Sequence, residues 1–140
     1  MSNNIARVDE SDLKMAYVRA RLAEIERTRR VYLAAEGGMP QRDIARAVHM
    51  SQSAVHRLIV RAKVLGVGES VEEIVLERHV GKCSTDQMLR RLREMKAWLP
   101  RIVDPVDGVL PGSSEEDVEA LLEGGFLTEA EVDLILDAHE

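Results

Sequence analysis

Five side chains of this 140-residue chain are of kinds that ligate transition metals: His49, His56, His79, His139 and Cys83. They are scattered, without the short spacings that a zinc site needs. Nucleophilic catalysis is no easier to assemble. There is no glycine-rich phosphate loop, no Gly-x-Ser-x-Gly turn and no paired nucleophile and base. Acid pairs such as Glu115 and Glu116 stand in a charged run, the composition of a solvated surface. Cys83 could be a somewhat activated thiol beside a helix start, but a packed structural cysteine is the simpler reading. The chain is therefore expected to be no enzyme, with no catalytic residues, no metal and no cofactor.

A different chemistry is legible in QRDIARAVHMSQSAVHRLIV, from Gln41 to Val60. Two short helices joined by a tight turn must approach closely, which imposes a residue code. Ala45 is small where the second helix would cross the first. Ile44, Val48, Met50, Val55 and Leu58 fall on inward faces, and Ser51 is placed to cap the second helix. Pro40 suits the start of the first. Arg42, Arg46, Gln52, Ser53, His56 and Arg57 are left facing outward. His49 falls between the two helices, at the turn.

The segment QRDIARAVHMSQSAVHRLI, preceded by AAEGGMP, resembles the helix-turn-helix of lambda-type phage repressors and of resolvase and invertase DNA-binding domains. The resemblance extends over residues 31–63. His49 departs from it, because those families usually have glycine there; the resemblance implies a left-handed backbone at that position, which histidine tolerates better than most non-glycine residues. The resemblance implies that the second helix enters the major groove of double-stranded DNA. Gln52, Ser53, His56 and Arg57 would then meet base edges, since glutamine can pair bidentately with adenine and arginine with guanine. Arg42, Arg46, Ser51, Arg61 and Lys63 would meet phosphates. Arg27, Arg29 and Arg30 could add backbone contacts or form an ordinary solvated face.

These residues need a frame. Ser11 is a good N-cap for a long first helix that ends near Glu36, before Gly37 and Gly38. Met15, Val18, Leu22 and Ile25 make an apolar stripe along it, continued by Tyr32 and Leu33 and interrupted by Arg29. The stripe would pack on the chain's own core or on a second copy. Ser70 with Glu73, Ser84 with Gln87 and Thr128 with Glu131 read as capping boxes opening later helices, the second of them reaching Trp98. A further short helix is expected from Glu115 to Glu123, and Gly81 and Gly125 precede similar Ser/Thr caps. No strand shows convincing alternation. The expected fold is all-α: a helix-turn-helix unit over 1–66, a helical hairpin over 67–100, a linker over 101–114 and an acidic helical hairpin over 115–140.

Apolar residues make up 45% of the chain and aromatic ones only 3%, which suits small packed helices. The net charge of −6 conceals an asymmetry. Residues 1–70 hold twelve Lys and Arg against eight Asp and Glu, whereas residues 71–140 hold seven against seventeen. Phosphate contacts act within about a Debye length, so a local positive surface suffices for DNA. No run is apolar enough to cross a bilayer, the N-terminus does not read as a signal peptide, and a single cysteine fits a reducing compartment. A cytoplasmic regulator binding an inverted repeat as a homodimer is the primary expectation. The layout is also similar to small bacterial antitoxins, in which residues 102–140 would grip a partner protein such as a toxin.

Overall fold

The computed structural model describes residues 7–95, 102–104, 108–110 and 114–139, with backbone alone for the two short middle segments. Its elements are α1 (Glu10–Glu36), α2 (Gln41–Val48), α3 (Gln52–Leu65), α4 (Val71–His79), α5 (Thr85–Glu94), β1 (Ile102–Asp104), β2 (Gly108–Leu110), α6 (Glu115–Glu123) and α7 (Glu129–Asp137). The fold is all-α apart from β1 and β2, an antiparallel pair with Val103 opposite Val109. That pair lies within the stretch expected to be a plain linker. Strands of three residues are too short for alternation to appear in sequence.

Local chemistry sets most helix starts. α1 begins one residue before Ser11, capped by Asp9: its side chain accepts the Asp12 N–H at 2.9 Å, and the Asp12 carboxylate accepts the Asp9 N–H at 3.1 Å. Asp9 thus supplies the cap expected of Ser11, because only it has a reciprocating carboxylate three residues on. The boxes at Ser84–Gln87 and Thr128–Glu131 form as expected, and Ser114–Asp117 adds another. At α4 only half a box forms. Ser70 accepts the Glu73 N–H, while the Glu73 carboxylate is drawn away to Arg29. The residues beyond Met95 toward Trp98 lie outside those described.

Two apolar clusters build the interior. One joins Val31 of α1 to Ile44, Ala45, Val55, Leu58 and Ile59 of α2 and α3. The other draws Val71, Ile74 and Val75 from α4, Met88 and Leu92 from α5, Val118 and Leu121 from α6, and Val132 and Ile135 from α7. The acidic C-terminal helices are therefore covered by their own chain, through α4 and α5. The hairpins α4–α5 and α6–α7 share a local design: Gly81 (φ 79°) and Gly125 (φ 77°) take the left-handed conformation, and a capping box opens three residues later.

Helix α1 touches both clusters. Val18 is fully buried, and Met15, Leu22 and Ile25 are half-buried, so the stripe is used within one chain. Its continuation differs from expectation. Val31 is buried, whereas Leu33 is 55% exposed, because a 3.6-residue repeat turns Leu33 past the core face. Near the N-terminus of α1, the Lys14 ammonium donates to the Gly125 carbonyl at 2.6 Å and sits over the Phe126 ring, against which Tyr17 also packs. Further along, Arg21 bonds Glu72 and Arg29 bonds Glu73, tying α1 to α4.

Candidate DNA-binding surface

The geometry of α2 and α3 is set by one residue between them. His49 has φ 55° and ψ 45°, the left-handed conformation expected at that turn, and is the one non-glycine described residue with positive φ. Its backbone N–H and that of Met50 both reach the Ala45 carbonyl. The turn from α2 to α3 is made within three residues, and Ser51 caps α3 by accepting the Ala54 N–H at 3.1 Å. Ala45, 5% exposed, lies in the same cluster as Val55 and Leu58, where a larger side chain would hold the two helices apart.

With Val55, Leu58, Ile59 and Ala62 turned inward, α3 presents Gln52, Ser53, His56 and Arg57 to solvent, all exposed. Lys63 is exposed further along. Arg42 and Arg46 of α2 have side chains 73% and 79% exposed, with only loose contacts to Asp43 at 3.9 and 3.5 Å. Such contacts leave their charge available, since exposed pairs contribute little. Ser51 already accepts one hydrogen bond but keeps its hydroxyl proton for another acceptor. Arg61 differs from the others: it is half-buried, one step nearer the core face.

Electrostatically this surface is one-sided. Between Gly37 and Gly68 stand Arg42, Arg46, Arg57, Arg61 and Lys63 against Asp43 alone, so the positive excess of the N-terminal half is concentrated here. Helix α3 carries no acid. The cluster Arg27, Arg29 and Arg30 is divided. Arg29 turns inward, with its guanidinium on Glu73 at 2.6 Å, on Glu26 at 2.9 Å and on the Val67 carbonyl at 2.8 Å. These bonds, chiefly that to Glu73, raise its pKa. Arg30 is exposed beside Glu26, whose carboxyl is held below the usual range first by Arg30 and then by Arg29. Arg27 is exposed. Arg29 is a structural link, a role that neither sequence reading gave it.

Two apolar residues extend the outward face: Val60, 46% exposed, and Val64, 57% exposed. They follow Arg57 at intervals of three and seven, which is the signal that could have placed them, but valine on a helix reads first as core. Among the described residues no group of three or more His, Cys, Asp or Glu could hold a metal ion, and no helix is long and apolar enough to cross a membrane.

Residues 26–65 match a family model described as Sigma-70, region 4. The match spans the second half of α1 with α2 and α3, which is the unit whose geometry is given above. That domain is a helix-turn-helix DNA-binding fold with a transcription-related role, and the match does not show the resemblance to phage repressors and resolvases. No curated protein and no solved structure matches the chain. The N-terminal unit of this chain is thus a helix-turn-helix of DNA-binding type.

Proposed function

We propose that this protein is a transcription regulator that binds specific double-stranded DNA sequences by placing α3 in the major groove. Gln52, Ser53, His56 and Arg57 read base edges, and Arg42, Arg46, Ser51, Arg61 and Lys63 hold phosphates. The observation that carries this reading is the exposed, acid-free face of α3, set at the end of a left-handed turn beside the exposed, loosely paired cations of α2. A single α3 spans one half-site, too few base pairs to single out an address, so the reading includes a homodimer on an inverted repeat. Its interface would lie outside the α1 stripe and the C-terminal core, both of which are covered within one chain. Selection from random duplexes tests this: an enriched inverted repeat, lost with Arg57→Ala, supports it. Failure of any sequence to enrich would overturn it.

One observation favours a second reading, an autoregulator of antitoxin type. Glu119, Glu123, Glu129, Asp133 and Asp137 are exposed on α6 and α7, and no Lys or Arg occurs from Ile102 to Glu140. That surface suits a basic protein partner. Stable co-purification with the product of an adjacent gene, abolished by neutralising these acids, would favour this reading; co-purification unaffected by neutralisation would count against it.

A further inference from the structure

Away from the α2–α3 face, one concavity gathers cations. A depression of about 350 Å3 is lined by Lys82 and Cys83 of the α4–α5 turn and by Gln87, Arg90 and Arg91 of α5. No carboxylate lines it. Lys82 and Arg90 are exposed, and neither side chain has an ion pair or hydrogen bond among the described residues. The Gln87 carbonyl oxygen accepts the Ser84 N–H at 2.8 Å in the capping box, which leaves its amide NH2 as the end free to interact. Arg91 is held at 2.5 Å by Glu69 and at 3.0 Å by Glu77, which uses two of its five N–H donors.

We propose that this depression binds a phosphate-class oxyanion. Every uncommitted polar side-chain group at its wall, apart from the weakly polar Cys83 thiol, is a hydrogen-bond donor: the Lys82 ammonium, the Arg90 guanidinium, the Gln87 amide and the remaining N–H groups of Arg91. A ligand that satisfies such a wall consists of acceptors and carries negative charge, and a phosphoryl group offers three oxygens in a compact tetrahedron. The volume lies at the lower end of small-ligand sites, room for a phosphoryl group with a small scaffold. A free phosphorylated molecule and the phosphate backbone of DNA share this chemistry. Arg91 also links the site to the helix-turn-helix by an ion pair, because Glu69 lies in the connection from α3 to α4 and an incoming anion would compete with it for Arg91.

The test uses the full-length chain and does not depend on α3 reading DNA. Inorganic phosphate and pyrophosphate are titrated against chloride at equal ionic strength, with backbone amide shifts as the readout. Gln87→Glu is the informative variant. It retains an acceptor for the Ser84 N–H, so the capping box stands, but sets a carboxylate among the cations. The expected result is a saturable response centred on residues 82–91, weakened about tenfold or more by Gln87→Glu and by Lys82→Ala with Arg90→Ala. A response no different from chloride, or a Gln87→Glu protein that titrates like wild type, overturns the proposal. Given a saturable response, duplex binding separates the sources. Equal weakening of specific and random duplexes by Gln87→Glu assigns the site to backbone phosphate, and unchanged duplex affinity assigns it to a free ligand.

Discussion

The guanidinium of Arg29 lies 2.6 Å from the carboxylate of Glu73, joining the helix behind the DNA-binding unit to the first helix of the C-terminal bundle. Both side chains are largely withdrawn from water, at 23% and 8% exposure. The same guanidinium takes the Val67 carbonyl, so the chain leaving α3 is gripped as well. Removing Arg29 leaves the buried Glu73 carboxylate without its cation, and removing Glu73 leaves Arg29 with Glu26 as its carboxylate partner.

Arg29→Met and Glu73→Gln should each destabilise the fold by about 2–3 kcal/mol, below the range for a fully buried pair because Arg29 keeps some solvent. The Arg29→Met/Glu73→Leu double variant should recover much of that loss. Urea unfolding measures all three. Single variants within about 0.5 kcal/mol of wild type would show that the link contributes nothing net.

Arg57→Ala should cost about 1–3 kcal/mol on the selected duplex and relax preference at one base pair. Lys63→Ala should weaken every duplex alike and lower the salt slope by about one. Gel shifts on specific and scrambled duplexes over a salt series separate the two effects. If both variants lose affinity identically on all sequences, Arg57 is not a base reader.

At the turn, His49→Gly should be neutral or mildly stabilising, because φ 55° costs glycine nothing. His49→Val should destabilise by about 1–2 kcal/mol, since a β-branched side chain crowds the left-handed backbone. Thermal unfolding of the two variants gives the comparison, and a valine variant as stable as glycine would contradict the assigned geometry.

The His79 ring packs edge-on against Phe126 at 5.3 Å between centroids. Burial first, then Lys14 and Arg78, pushes its pKa below its ordinary value of 6.5; Glu131, the acid facing this region, is engaged by Arg78. The sign follows: the unfolded chain takes up a proton that the folded chain resists, so stability is retained above pH 6.5 and falls as pH drops below it. His79→Gln should flatten the decline in melting temperature between about pH 7 and 5.5. A variant with the wild-type slope would place the titration elsewhere.

Removing residues 102–140 would strip Val118, Leu121, Leu127, Val132 and Ile135 from the core they share with α4 and α5, so deletion cannot test the acidic field alone. Neutralisation can. Changing Glu119, Glu123, Glu129 and Asp133 to their amides should raise non-specific duplex affinity at low salt, with the gain shrinking as salt screens the field. Affinity that is unchanged at about 0.01 M salt would show that the field does not reach the DNA.

The sequence by itself determined what depends on near neighbours. Ala45, His49 and Ser51 specify the crossing, the turn and the cap of the helix-turn-helix, because each acts within a few residues of its own position. The boxes at Ser84 and Thr128 were legible for the same reason. Tertiary structure decided whatever depends on distant partners. Glu73 has the spacing of a capping residue, yet it bonds an arginine 44 positions away, since a charge leaving water binds most strongly to the opposite charge that packing brings to it. Arg29 read as an interruption of an apolar stripe until Glu73 gave that interruption a partner. The acidic helices α6 and α7 had the apolar spacing of packing elements, but periodicity names a buried face without naming what covers it. Only the fold showed the cover to be α4 and α5 of the same chain, because apolar burial is non-directional and local sequence does not encode which surface comes to meet it.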